Sequence, residues 1–208
     1  MQYRAVFFDL GGVVLGSPLD AIAGYERERG IPSGFVNRVV VASGPNGAWS
    51  RLERGELSIE TFHPVFDAEC ASAGQAIDSR GLMERVHKAS GPRPIMLEAI
   101  RRIRERGLST GAITNNWITE GEEDGSGALR ALFDVFVEST AVGLRKPDPR
   151  IFELVCRELD VTPAEAVFLD DIGINLKAAR ALGMTTIKVD DPARALAELE
   201  QTVGLMLR

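Results

Sequence analysis

Two textures of apolar and polar positions divide the chain. The first consists of short apolar runs at residues 3–9 (YRAVFFD), 108–114 (LSTGAIT), 134–139 (DVFVES), 166–170 (AVFLD) and 185–189 (TTIKV). Runs this short, apolar and rich in β-branched or aromatic residues, predict strands in a parallel sheet, the most continuous of them buried on both faces. Between them the apolar positions recur every three or four residues, which predicts helices over 95–106, 148–159, 174–182 and 192–203. Met96, Ala99, Ile100 and Ile103 mark the inner face of the first. The punctuation agrees. Gly107 and Gly183 stand at helix C-termini. Asp148 and Pro149 occupy the N-cap and first helical positions. Thr162-Pro163-Ala164-Glu165 reads as a capping box over a short turn.

The second texture runs from Ser17 to Ser90 and is helical throughout. Helices are expected at 18–29, 33–42, 47–54, 59–73 and 79–89, separated by Gly30-Ile31-Pro32, Gly44-Pro45-Asn46-Gly47 and Gly74. Gly91-Pro92-Arg93-Pro94 marks the return to the first texture. The expected architecture is therefore an α/β core, residues 1–16 and 91–208, built on a doubly wound parallel sheet. A small all-helical cap, residues 17–90, is inserted after the first strand. Ligands of such sheets bind beyond the carboxyl ends of the strands, where Asp9, Thr114 and the pair Asp170-Asp171 fall.

Composition narrows the class. The 208 residues, 45% hydrophobic and 26% charged, suit a globular domain with a modest insertion. Asp9 interrupts the apolar start of the chain, so it reads as a strand and not a targeting segment. No run of about 18 apolar residues occurs, so no membrane partner is expected. A net charge of -6 without a basic block argues against a nucleic-acid partner, though not against a small anionic substrate. Cys70 and Cys156 lack metal-ligand spacing and read as reduced, buried thiols of a cytoplasmic protein. Monomer and homodimer are both compatible with the sequence.

The strand-end residues suggest chemistry. Asp9 lies beside the flexible Gly11-Gly12, and Asp170-Asp171 form an acidic doublet. Carboxylates gathered together repel, and a hard cation such as magnesium relieves this. Thr114 and Asn115 offer a hydroxyl, an amide and backbone N–H groups, and Lys146 a positive charge, which together suit a tetrahedral anion. Each residue has a plainer reading as a turn, cap or solvated side chain. Their convergence on one sheet edge favours the chemical one. Asn46, Trp49 and Arg51 are candidates for a cap pocket, with Trp49 better suited to packing. His63 and His87 are isolated and expected to be non-catalytic, the arginines at 101–106 form a solvated face, and the acidic, glycine-rich stretch 119–127 reads as surface loop.

FFDLGGVV, AITNN, KPDPRIF and FLDDIGINLKAARALGMTTIKV, spread over residues 5 to 189, resemble the four ordered motifs of the haloacid dehalogenase-like (HAD) superfamily, subfamily I with a helical cap. The sequence resembles the N-terminal phosphatase domain of soluble epoxide hydrolases and the related domain of acyl-CoA dehydrogenase fusion proteins. The latter is echoed by IPSG, NGAWSR and KPDPRIF. The resemblance implies a magnesium-dependent phosphatase acting on a small phosphorylated metabolite. Asp9 would be the nucleophile, forming an aspartyl-phosphate. Asp9, the Gly11 carbonyl, Asp171 and Asp170 would hold magnesium. Thr114 and Asn115 would bind phosphoryl oxygens, Lys146 would neutralise charge on Asp9 and the phosphoryl group, and Asn175 would orient Lys146 or Asp170. One position departs from the pattern: Gly11 stands where these phosphatases carry a second Asp as acid/base. Such a group contributes roughly 10²–10⁴-fold, so weak turnover of alkyl phosphates is expected. Two alternatives remain open. One is a metal-independent 2-haloacid dehalogenase, disfavoured by the acidic doublet. The other is a non-catalytic phosphate-ligand module, favoured by Gly11 and disfavoured by Asp9 and Lys146.

Overall fold

The apolar runs become five strands: β1 (Ala5–Phe8), β2 (Ser109–Thr114), β3 (Val135–Glu138), β4 (Ala166–Asp170) and β5 (Thr185–Lys188). In the computed structural model, which describes residues 3–117 and 125–207, they form one parallel sheet in the order β3-β2-β1-β4-β5. The chain moves from β1 outward through β2 and β3, then crosses to β4 and β5 on the other side of β1. That reversal is a topological switch point, where the ends of neighbouring strands diverge and leave a crevice. Phe8 pairs with Leu169, and the Asp9 N–H donates to the Leu169 carbonyl at 2.9 Å. Asp9 and Asp170 thus leave adjacent strand ends together.

Residues between β1 and β2 fold as α1 (Pro18–Arg29), α2 (Phe35–Ser43), α3 (Ala48–Glu53), α4 (Ile59–Ser72) and α5 (Ser79–Ala89). Their boundaries follow local chemistry. The Ser17, Ser58 and Asp78 side chains cap α1, α4 and α5, and Gly30, left-handed at φ 67°, closes α1. Glu26 is buried, yet both its oxygens are satisfied by the Gly34 and Val36 N–H groups at the start of α2. Tyr25, Trp49, Phe62, Phe66 and Leu82 centre a hydrophobic core of their own. The two crossings between this insertion and the sheet run side by side: Gly16 N–H donates to Gly91 O and Arg93 N–H to Val14 O, both at 2.9 Å.

The remaining helices are α6 (Pro94–Glu105), α7 (Gly125–Arg130), α8 (Ser139–Val142), α9 (Pro149–Glu158), α10 (Gly173–Ala181) and α11 (Pro192–Val203). On one face of the sheet α6 and α11 pack Met96, Ile100, Ile103, Leu196 and Leu199 onto Val6 and Phe8. On the other, α9 and α10 pack Ile151, Phe152, Val155 and Leu176 onto Phe7 and Phe168. This two-sided cover is why every residue of β1 and β4 is buried. A Cβ on Gly111 would stand 2.9 Å from both Phe7 Cδ1 and Val155 Cγ1, so only glycine lets α9 approach β2 this closely. The sheet and its two helical layers confirm the doubly wound class.

One local feature gives the turn expected at Gly11-Gly12 its form, and two others differ from the expectation. Residues Leu10–Val14 form a turn closed by Leu15 N–H to Leu10 O at 2.8 Å, with Gly12 at φ 78°. The run at 134–139 ends one residue early because Ser139 opens α8. The loop expected at 119–127 falls mostly outside the described residues, and its last part belongs to α7. Among the described residues, no helix is long and apolar enough to cross a membrane.

Candidate active site

The strand-end residues meet around one buried ammonium. Lys146, on the loop before α9, is 1% exposed, and its Nζ lies 2.8 Å from Asp9 Oδ1 and 2.8 Å from Asp170 Oδ2. Asp170 is held further by the Ile172 N–H on Oδ1 at 2.7 Å and by Asn175 Nδ2, 3.2 and 3.1 Å from its two oxygens. Asn175 therefore orients Asp170, one of its two expected partners. Asp9 Oδ1 also accepts from the Leu10 N–H at 2.6 Å. The Asn115 amide clasps the backbone of Lys146, accepting from its N–H at 2.8 Å and donating to its carbonyl at 3.0 Å. Thr114 is buried at the end of β2.

Asp171 completes the group. One carboxylate oxygen each from Asp9, Asp170 and Asp171 lie within 4.8 Å of one another, and Asp171 Oδ1 is buried without a hydrogen-bond partner. Buried acceptors are nearly always satisfied, so this oxygen fits a missing ligand. A Cβ on Gly12 would collide with Asp171 Oδ2, so the turn leaves room for that carboxylate only because residue 12 is glycine. Burial above all pushes Asp9 up to about 8, with the Asp170 and Asp171 charges adding to it and Lys146 opposing it. Burial and then Asp170 push Asp171 up to about 6. Three acids against one buried lysine form an electron-rich pocket, and a hard divalent cation fits this donor set.

Several neighbours were not expected from sequence. Arg93 Nη1 donates to the Gly12 carbonyl at 2.6 Å and the Val13 carbonyl at 3.3 Å, fixing the turn after Asp9. Glu53 of α3 is buried and bonds Trp49, Arg145 and Asn115. The apolar flank of Pro18 faces Gly11: an ideal Cβ there would lie 3.0 Å from Pro18 Cγ and 3.2 Å from Cδ. The one sequence signal for Glu53 was its position four residues after Trp49, on the same helix face.

The other candidates lie elsewhere. Trp49 is a packing residue, edge-on to Phe62, Phe66 and Trp117 at 5.7, 5.4 and 6.0 Å. Asn46 is exposed, and Arg51 pairs with Glu56 at 3.7 Å. His63 Nδ1 shares a hydrogen bond with Ser79 Oγ at 2.9 Å inside the helical insertion. Arg101 and Arg102 pair with acids on their own helix, and Arg104 with Asp134.

Comparison with known proteins places this geometry in a family context. Residues 3–183 match the haloacid dehalogenase-like hydrolase family. Mouse (Mus musculus) acyl-CoA dehydrogenase family member 10 is 40% identical over 209 residues, covering 99% of this chain and 20% of that protein. Bifunctional epoxide hydrolase 2 of Sus scrofa is 36% identical over 221 residues, covering 100% of this chain and 40% of that protein. The chain thus spans only a minor part of these relatives. Among solved structures, a HAD-family enzyme of Bacteroides thetaiotaomicron in complex with magnesium and inorganic phosphate shares the fold. Its TM-score is 0.61 at 19% identity, covering 92% of this chain and 98% of that one.

Proposed function

Because the chain belongs to the haloacid dehalogenase-like hydrolases, we propose that it hydrolyses a phosphoric monoester of a small metabolite at Asp9, with magnesium as its cofactor. The observation that carries this reading is the acid triad around Lys146, with one oxygen of Asp171 buried and unpartnered. Asp9, Asp170, Asp171 and the Gly11 carbonyl would hold magnesium. Bound there, the ion supplies positive charge to the phosphoryl oxygens and screens the acids from one another.

Asp9 Oδ1 is engaged by Lys146 and the Leu10 N–H, which leaves Oδ2 to attack phosphorus. The Asp9–phosphorus bond forms as the ester P–O bond breaks, and the alcohol departs with a proton drawn from water. Water then attacks phosphorus, releasing inorganic phosphate and restoring the carboxylate. Lys146 stays charged throughout and offsets the negative charge that builds between Asp9 and the phosphoryl group. Thr114 and Asn115 hold phosphoryl oxygens. Asn115 has its side chain on Lys146, so its backbone N–H serves this purpose. Asn175 and the Ile172 N–H keep Asp170 oriented. Residues 17–90 act as the cap that covers the site and selects the alcohol.

A screen of phosphorylated metabolites with magnesium, beside Asp9→Asn and a chelated sample, tests the proposal. Turnover should require both Asp9 and the cation. Release of halide from a 2-haloacid that survives chelation would assign the chain to dehalogenation instead. Phosphate binding without turnover of any ester would leave only the ligand-module reading.

A further inference from the structure

The helical insertion touches the phosphate-holding loop through one buried carboxylate. Glu53, at the end of α3, is 7% exposed. Its Oε1 accepts from Trp49 Nε1 at 3.0 Å. Its Oε2 accepts from Arg145 Nε at 2.5 Å and from Asn115 Nδ2 at 3.4 Å. Both partners on the core side flank the catalytic machinery: Arg145 immediately precedes Lys146, and Asn115 clasps the Lys146 backbone from both sides. The contact is not an incidental surface ion pair. The side chains of Arg145 and Glu53 are only 24% and 9% exposed, and Trp49 anchors Glu53 from within an aromatic cluster. Trp117, two residues after Asn115, joins that same cluster edge-on to Trp49 at 6.0 Å. Two independent ties, one ionic and one aromatic, therefore bind α3 to the segments that carry Asn115 and Lys146.

We propose that Glu53 is a positioning residue that couples seating of the helical insertion to the geometry of the phosphate site. With Glu53 in place, Arg145 and Asn115 are drawn toward α3, and Asn115 holds Lys146 in register with Asp9. When α3 lifts away, that carboxylate leaves and a half-buried arginine loses its counter-ion. The loop that presents Lys146 then relaxes. Phosphate is held tightly only while the insertion is seated. The inference rests on the phosphatase reading above, since it concerns the same phosphate site.

The test uses Glu53→Gln, which keeps the side-chain volume. Glu53 accepts hydrogen bonds on both oxygens, whereas an amide accepts on one, so the substituted side chain satisfies Trp49 or the Arg145–Asn115 side but not both. Arg145→Ala is the second variant, should the first fail to fold. With p-nitrophenyl phosphate and magnesium, both variants should raise KM and the inhibition constant of inorganic phosphate roughly tenfold, as expected for losing one charge-assisted hydrogen bond. The kcat of each should fall as well, because Lys146 is then held less closely against Asp9 and the phosphoryl group. The double variant should be no worse than the single variants, since the two act as one unit. A merely structural role would instead lower the melting temperature and the active fraction, with KM and phosphate inhibition unchanged. That pattern in either variant overturns the proposal. If the native protein neither hydrolyses the ester nor binds phosphate, the phosphatase reading itself fails and this inference falls with it.

Discussion

Gly11→Asp asks whether the missing acid limits the enzyme. The backbone offers no obstacle, since Gly11 sits at φ -63° and ψ 126°, a conformation open to any residue. The obstacle is Pro18, whose Cγ would lie 3.0 Å from the new Cβ. Pro18 is the first residue of α1, so its ring must give by a few tenths of an ångström against the start of that helix. Overpacking of this kind costs roughly 1–3 kcal/mol. A well-placed general acid contributes roughly 10²–10⁴-fold, or about 3–5 kcal/mol of barrier. Overpacking that pushes the new carboxyl off its line to the leaving group takes back much of that gain, so Gly11→Asp alone should raise kcat/KM on an alkyl phosphate only modestly, by roughly tenfold or less. Gly11→Asp combined with Pro18→Ala removes the obstruction while alanine preserves the helix, and it should gain on the order of 10²-fold. Glycerol phosphate and p-nitrophenyl phosphate, assayed side by side by phosphate release, provide the comparison. The gain should concentrate on the alkyl ester, whose leaving group needs a proton, and nearly vanish on the aryl ester. Equal gains on both esters, or none on glycerol phosphate in the double variant, would refute the missing-acid account.

Three further outcomes are expected. Lys146→Ala strands Asp9 and Asp170 without their shared counter-ion, and in chelator it should lower unfolding stability by roughly 3–5 kcal/mol in a urea titration. Unchanged stability would contradict this. His63 is held below its ordinary 6.5 by burial first and then by Arg80, against the opposing pull of Asp67, Glu60 and Asp78. Its folded value is depressed, so its contribution to stability is complete above pH 6.5 and fades as pH falls toward that lower value. The urea midpoint should therefore decline between pH 7.5 and 5.5 (about one unit either side of the ordinary histidine value), and His63→Asn should flatten that decline. An equally steep decline in the variant would remove His63 from the explanation. Burial pushes the Cys70 thiol up to about 12 and Cys156 to about 11, so neither should react with a disulfide reagent at mildly alkaline pH until denaturant is added. Rapid labelling of the folded protein would contradict this.

The strands were readable because a parallel sheet covered on both faces writes itself as unbroken apolar runs, AVFF and AVFLD above all. Helix ends were readable where the cap is local. Asp148 accepts from the Arg150 N–H, and Glu165 accepts from the Thr162 N–H, each within three residues. The α8 turn was not readable, because four residues cannot display a helical period. The turn after Asp9 was expected from Gly11-Gly12, but its anchor was hidden, because Arg93, 81 positions beyond Gly12, fixes its carbonyls. Glu53 and Arg145 stand 92 positions apart, and nothing in either local sequence announces the other. Pro18 opens the helix expected over 18–29, but its contact with Gly11 exists only once the chain has turned back on itself. The acids and the lysine were legible by residue type and strand-end position. Their mutual distances were not.

The paired crossings at Gly16–Gly91 and Val14–Arg93 carry one last consequence. A detour whose two feet stand on the same spot demands little of the scaffold it departs from, whatever its length or shape. The five-stranded platform can therefore keep its strand-end acids fixed while the excursion is rebuilt. Any replacement must still supply an acceptor for Arg145 and an aromatic seat for Trp117.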